Sequence, residues 1–150
     1  MDEAQVRGLI VAAIGDGHHE FGSFFLSRFF GMAVSYEADA CIVSLDVKPY
    51  MFNPQGSLHG GVLATALDIS MGHLLKNQFG AGATLEMKVQ YFAAVRSGIV
   101  NCRASFLKKG RKTFFLQSSA ADRVLLQRSR REMIESRQLP FRWPAGTARR

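Results

Sequence analysis

The stretch PYMFNPQGSLHGGVLATALDISMGHLL, Pro49 to Leu75, decides how this sequence is read. It lies between Lys48 and Lys76 and holds one formally charged side chain, Asp68. From Leu58 to Phe79 the run is too long and too poor in β-branched residues for a strand, so it reads as a helix. Apolar residues surround that helix on every side, the pattern of a buried helix. A carboxylate in apolar surroundings is costly unless it is paired or hydrogen-bonded, so Asp68 needs a reason to be there. Gly61, Ala64 or Thr65, Asp68 and Gly72 follow one another at spacings of three and four. A stripe of small residues therefore lies beside the acid on one face, leaving room for another backbone, a water or a substrate.

Ahead of the helix, NPQGSLHGG carries Pro54 and three glycines and reads as a turn leading into a helix N-terminus with free N–H groups. Such a terminus favours negative charge, including the oxyanion that develops when a carbonyl is attacked. From Gly60 to Asp68 the rise is about 12 Å at roughly 1.5 Å per residue. The two groups are too far apart to act directly on one carbonyl within a subunit. If they share a site, a second copy of the chain is expected to bring them together.

Outward from this stretch the pattern changes. EAQVRGLIVAAI, residues 3 to 14, places Val6, Leu9, Ile10 and Ala13 at helical spacing, and FGSFFLSRFFGM suggests a second short helix or turn. MAVSYEA and ACIVSLDV alternate apolar and polar positions around the turn at Glu37 to Asp39, as a hairpin does. After the helix come three more alternating runs, Thr84 to Val95, Gly98 to Lys108 and Lys112 to Ala121, the last two joined by KKGRK. RVLLQRSRREMI is a candidate final strand, although it alternates badly and also fits a helix. The order predicts an α+β fold, an antiparallel sheet wrapping one long buried central helix, in a single domain over residues 1–150.

Composition narrows the function. The chain has 150 residues, 47% hydrophobic and 21% charged, within the range of one compact domain. No apolar run is long enough for a membrane span, and no basic start followed by an apolar block opens the chain, so a soluble cytoplasmic protein is expected. Cys41 and Cys102 each sit in an apolar alternating segment and read as reduced core residues. His59 and His73 lack ligand spacing, and His18 and His19 fall in a loop, so neither a metal nor a cofactor is expected. The net charge of +7 is uneven. Residues 1–122 hold 11 Lys/Arg and 10 Asp/Glu, whereas residues 123–150 hold eight arginines against Glu132 and Glu135. The basicity belongs to the C-terminal fifth.

Taken together, Asn53, Pro54, Gly56, His59, Gly60 and Gly61, followed by Asp68 seven positions on, resemble the signature of the hotdog-fold acyl-CoA thioesterases, in the branch that includes the phenylacetate-pathway enzyme PaaI. The resemblance runs from about Phe29 to about Ala121. It implies that Asp68 is the catalytic carboxylate, acting as general base on a water or as a nucleophile toward the thioester. It further implies that the Gly60 N–H polarises the carbonyl, that Asn53 places the thioester or holds the loop, and that Thr84 orients the water. His59 and Gly61 at the helix start, and Arg96, Lys109 and Arg111 in edge turns, are candidates for binding substrate, although His59 looks more structural and the basic residues read equally as solvated loop charges. Lys108 and Lys112 share that position. Phe52, Met71, Met87 and Phe92 are candidates for an acyl pocket and are equally plausible as core. An acyl-CoA substrate is implied, with at least a homodimer carrying the active site at its interface; a homotetramer, a dimer of dimers, is common in the family.

The sequence departs from the family after Ala121, where RVLLQRSRREMIESRQLPFRWPAGTARR replaces the usual turn and small-residue strand. Two other readings stand beside hydrolysis. A non-catalytic hotdog module would bind an acyl-CoA without cleaving it, but gains nothing from a lone carboxylate. Nucleic-acid binding by the arginine-rich end would be salt-sensitive, yet only Phe141 and Trp143 are aromatic there and no base-reading motif is present.

Overall fold

The computed structural model describes residues 3–15, 20–21 and 23–122. The candidate last strand, the arginine-rich segment and the His18–His19 loop lie outside the described residues. Two helices come first, α1 (Glu3–Ile14) and α2 (Phe25–Phe29). The carbonyls at the end of α1 would be left without donors, and Arg28 of α2 supplies them. Its Nε donates to Ala13 O at 2.7 Å and its Nη2 to Ile14 O at 3.1 Å.

The sheet begins with the hairpin β1 (Ala33–Glu37) and β2 (Ala40–Asp46) and continues, after the long helix α3 (Gly60–Phe79), with β3 (Ile99–Lys109) and β4 (Phe114–Asp122). The strands pair in the order β1-β2-β3-β4, all antiparallel. Cys41 faces Ala104 and Val43 faces Cys102, so the alternation along β2 and β3 puts Cys41, Val43, Leu45, Val100, Cys102 and Ala104 on one buried face. Ala66, Leu67, Ile69 and Leu74 of α3 pack against that face. Full burial of a Leu or Val side chain contributes about 1.5–3 kcal/mol, which is what holds α3 on the sheet. The two polar groups beneath it are satisfied together: Ser70 Oγ lies 2.7 Å from Ser118 Oγ and donates to Leu67 O at 2.7 Å. The turn between β3 and β4 requires a glycine, since a Cβ on Gly110 would overlap the Thr113 carbonyl oxygen. At the C-terminal end of α3 the rings of Phe79, Phe106 and Phe114 close the core.

Two expectations need correction. Among the described residues, helix α3 is buried along one side. The small-residue stripe, Gly61, Ala64, Thr65, Asp68 and Gly72, lies on the other side and is half-buried or exposed. An apolar composition all round marks a helix meant to be covered all round, and a four-stranded sheet covers one face. Second, the alternating run Thr84 to Val95 forms no strand here. It passes on the uncovered side of α3, touching it through Thr84 and Tyr91, and leaves Leu85 86% and Phe92 91% exposed.

Candidate active site

The two ends of the expected site are built differently. At the start of α3 the loop NPQGS closes on Asn53. The Asn53 Oδ1 accepts from Gln55 N at 3.0 Å and Ser57 N at 3.2 Å, its Nδ2 donates to Ser57 Oγ at 3.1 Å, and its backbone N donates to Ser57 O at 2.8 Å. The Asn53 side chain here stands in for backbone partners within the loop. Gly56, at φ 74°, takes the left-handed position that completes the turn. The loop is then pinned to its neighbours, Leu58 N donating to Val95 O at 2.7 Å and His59 N to Met51 O at 2.8 Å.

His59 caps the helix. Its Nδ1 accepts from Gly61 N at 2.9 Å, while its carbonyl accepts from Val62 N at 3.0 Å and Leu63 N at 3.2 Å. His59 is thus held as a structural residue at the helix start, and Gly61 spends its N–H on that cap. The Gly60 N–H is left over: among the described residues it has no acceptor. Beside it stands a residue the sequence did not single out. Tyr91 Oη donates to Gly60 O at 2.8 Å, and a Cβ on Gly60 would meet the Tyr91 ring at 3.2 Å. A tyrosine in a run that alternates as a strand does carries no sequence signal of this role, because the contact spans a helix and a loop. Asn53, Ser57, Gly60, Leu63 and Tyr91 line a cleft of about 360 Å³, with Phe92 and Val95 on its far wall.

The acid lies in a separate cleft of about 350 Å³, walled by Asp68, Ile69, Gly72 and His73 of α3, by Thr84, and by Glu20, Phe21 and Phe24. Asp68 is half-buried rather than enclosed. Thr84 Oγ1 donates to Asp68 Oδ1 at 2.8 Å. That bond holds one carboxylate oxygen in place and leaves the other to the cleft. Two turns of helix separate this group from Gly60, about 12 Å along the axis. One subunit therefore presents the carboxylate and the unpartnered N–H in different clefts, Asp68 grouped with Thr84, and Asn53 grouped with Gly60.

The remaining candidates scatter. Arg96 is exposed and follows Val95 at the Gly60 cleft. Lys109 sits at the opposite end of α3, its Nζ donating to Gln78 Oε1 at 3.0 Å, lying 3.6 Å from Asp39 and 4.9 Å from the centre of the Phe106 ring. Those contacts engage it locally. Arg111 is exposed in the neighbouring β3–β4 turn. Of the four acyl-pocket candidates, Phe92 lines one of the two clefts, whereas Phe52 and Met71 pack on the core. The cysteines are no nucleophiles: both are free and buried, and burial pushes the Cys41 thiol up to about 11 and the Cys102 thiol up to about 12. Among the described residues no cluster of His, Cys, Asp or Glu suits a metal ion, and no helix is long and apolar enough to cross a membrane.

An antiparallel sheet carrying one long helix, with an acid on the helix's uncovered side, is the hotdog arrangement, and comparison with known proteins agrees. Residues 55–120 match the model of the thioesterase superfamily. Similar solved structures include a conserved protein of Pseudomonas aeruginosa, 29% identical over 65% of this chain and 81% of that one, with a TM-score of 0.62. The PaaI protein of the E. coli phenylacetic acid degradation operon is 16% identical over 77% of this chain and 86% of its own, with a TM-score of 0.66. Zebra fish thioesterase superfamily member 2 is 21% identical, covering 83% and 88%, with a TM-score of 0.62. These last two share the fold. A search of curated proteins finds no match.

Proposed function

We propose that this protein is an acyl-CoA thioesterase, hydrolysing a thioester to the free acid and CoA. The observation that carries the reading is the Asp68 carboxylate, held by Thr84 at 2.8 Å on the wall of an open cleft. Asp68 as general base takes a proton from water, and the hydroxide adds to the thioester carbon. The oxyanion is stabilised by the Gly60 N–H, and collapse of the tetrahedral adduct expels the CoA thiolate, which recovers the proton from Asp68. Asp68 acting as nucleophile, through an acyl-enzyme anhydride that water then opens, uses the same geometry. Because the Thr84 hydroxyl donates its hydrogen bond to Asp68, it can help position the water only as an acceptor.

Since the two halves lie in different clefts of one chain, the working site combines Asp68 and Thr84 of one subunit with the Gly60 end of another. The segment 81–95 is the surface suited to that contact. Among the described residues it joins no ladder and exposes Leu85 and Phe92, the features of a strand edge without its partner. Arg96 lies next to the Gly60 cleft and is the basic residue best placed to meet a CoA phosphate.

The test is release of CoA thiol from a panel of aromatic and straight-chain acyl-CoAs by wild-type and Asp68→Asn protein. Turnover by the wild type that the variant lacks supports the reading. Binding of an acyl-CoA with no turnover of any thioester would instead establish the binding-module alternative.

A further inference from the structure

Tyr91 makes two contacts that the hydrolysis described above does not use. It comes from the segment that joins no ladder among the described residues, and it lines the same cleft as Asn53, Ser57 and Gly60. Its Oη donates to Gly60 O at 2.8 Å. Its ring lies against the Gly60 backbone: a Cβ there would stand 3.2 Å from the ring's Cζ and 3.4 Å from Cε1. Any side chain larger than hydrogen at position 60 would therefore push on the tyrosine.

The oxygen that Tyr91 holds belongs to a peptide unit already held at its other end. Gly60 O and Gly61 N–H share one plane, and Gly61 N donates to His59 Nδ1 at 2.9 Å. The peptide before it joins His59 to Gly60. Its oxygen accepts from Val62 N at 3.0 Å and Leu63 N at 3.2 Å, and its N–H is the one without an acceptor among the described residues. The two planes meet at the Gly60 Cα, the backbone centre with the least steric resistance to turning. The helical ladder also uses Gly60 O, but the first turn is where a helix frays. The direction of the Gly60 N–H thus depends on what grips the planes on either side, and the side chains that grip them are His59 and Tyr91.

We propose that Tyr91 is a positioning residue for thioester hydrolysis, which aims the Gly60 N–H by bonding the Gly60 carbonyl and packing on the Gly60 Cα. It acts through Gly60 and does not touch the reacting atoms. This rests on the thioesterase reading above. A donor fixed in advance stabilises the developing oxyanion without having to turn toward it. Loosening that donor costs stabilisation made mainly in the transition state, so kcat falls while KM stays near its original value.

CoA release from the best acyl-CoA of the panel above is measured for the wild type, Tyr91→Phe, which keeps the ring without the hydroxyl, and Tyr91→Leu, which removes both. Each is assayed over a range of protein concentrations. Both variants should fold, since Tyr91 is 53% exposed, and thermal midpoints check this. Removing an oxyanion donor outright costs about 10²–10³ in kcat, so loosening one through Tyr91→Phe should cost about tenfold, with KM within about twofold. Tyr91→Leu should lower kcat further. Tyr91 also lies on the segment suited to subunit contact, so a loss through dissociation would recover as protein concentration rises; the expected loss does not. Two backgrounds locate the effect. Gly60→Ala crowds the ring and already disturbs the contact, so adding Tyr91→Phe should lower kcat little more, whereas on Thr84→Ala the full fall should persist. Unchanged kcat in both variants, a rise in KM alone, recovery with concentration, or an effect absorbed by Thr84→Ala overturns the role of Tyr91 and leaves the thioesterase reading standing. No release from any thioester by folded wild-type protein removes the parent reading and this one with it.

Discussion

The loop at residues 53–59 and the segment at 81–95 contribute the two non-helical parts of the candidate site, and they are opposites. The first is tied at almost every residue, by the Asn53 side chain, by Ser57, and by bonds to Met51 and Val95. The second joins no strand ladder among the described residues and meets α3 through Thr84 and Tyr91. Yet the second carries the more apolar surface, with Leu85 and Phe92 turned outward. A segment outside any strand ladder and with exposed large side chains gains more from a neighbour than from its own chain. The helix-start half of the candidate site is thus held by bonds within its own loop, while the half that holds Asp68 in place rests on a segment with exposed apolar side chains.

If that contrast is right, variants should separate the two halves. The largest effect is expected at the carboxylate itself. Asp68→Asn should lower kcat for thioester hydrolysis by about a hundredfold or more with the thermal midpoint little changed, because an amide cannot accept the proton of water. Near-normal turnover on the best substrate would remove Asp68 from the chemistry. Next, Leu85→Asp places a charge on the exposed segment. It should weaken self-association by about tenfold or more, so that specific activity falls on dilution at concentrations where the wild type holds. Sedimentation alongside activity checks this, and a variant that associates and works normally would move the contact elsewhere.

Asn53→Ala tests the preformed loop and should behave differently, lowering stability by about 1–3 kcal/mol through donors left unpaired, while association persists. Denaturant midpoints of the two variants compare the halves directly. The smallest expected effect is a pH dependence. The folded His73 lies below its ordinary value of 6.5, so the unfolded chain takes up the proton first. Stability from this group is complete above pH 6.5 and declines as pH falls through 6.5 toward the folded value. His73→Phe should flatten the acid limb of the stability profile, and an unchanged limb would place the sensitive group elsewhere.

Much of this was legible beforehand for local reasons. The period of two in MAVSYEA and ACIVSLDV and their short turn marked a hairpin, which formed at Ala33–Glu37 and Ala40–Asp46. The length and composition of Leu58 to Phe79 marked a helix, found at Gly60–Phe79. Asp68 and Thr84 do meet, 16 residues apart. Illegible were the contacts that join distant elements. Tyr91 over Gly60 crosses 31 residues and Tyr36 on His73 crosses 37, and neither tyrosine differs in pattern from an ordinary strand residue. The run Thr84 to Val95 alternates as a strand should, but alternation states a preference and cannot provide the partner whose hydrogen bonds make it one.

The sequence by itself determined the hairpin, the long helix, the glycine and asparagine turn that starts it, and the spacing of Gly60 from Asp68, because each rests on propensities and periods within a short window. Only the tertiary structure decided which side of α3 the sheet would cover, that Asp68 would stand half-buried with Thr84 instead of enclosed, and that His73 would be buried against Phe21 and Tyr36. Those outcomes depend on which distant surfaces meet, and a helix apolar on every side does not say which face is covered first.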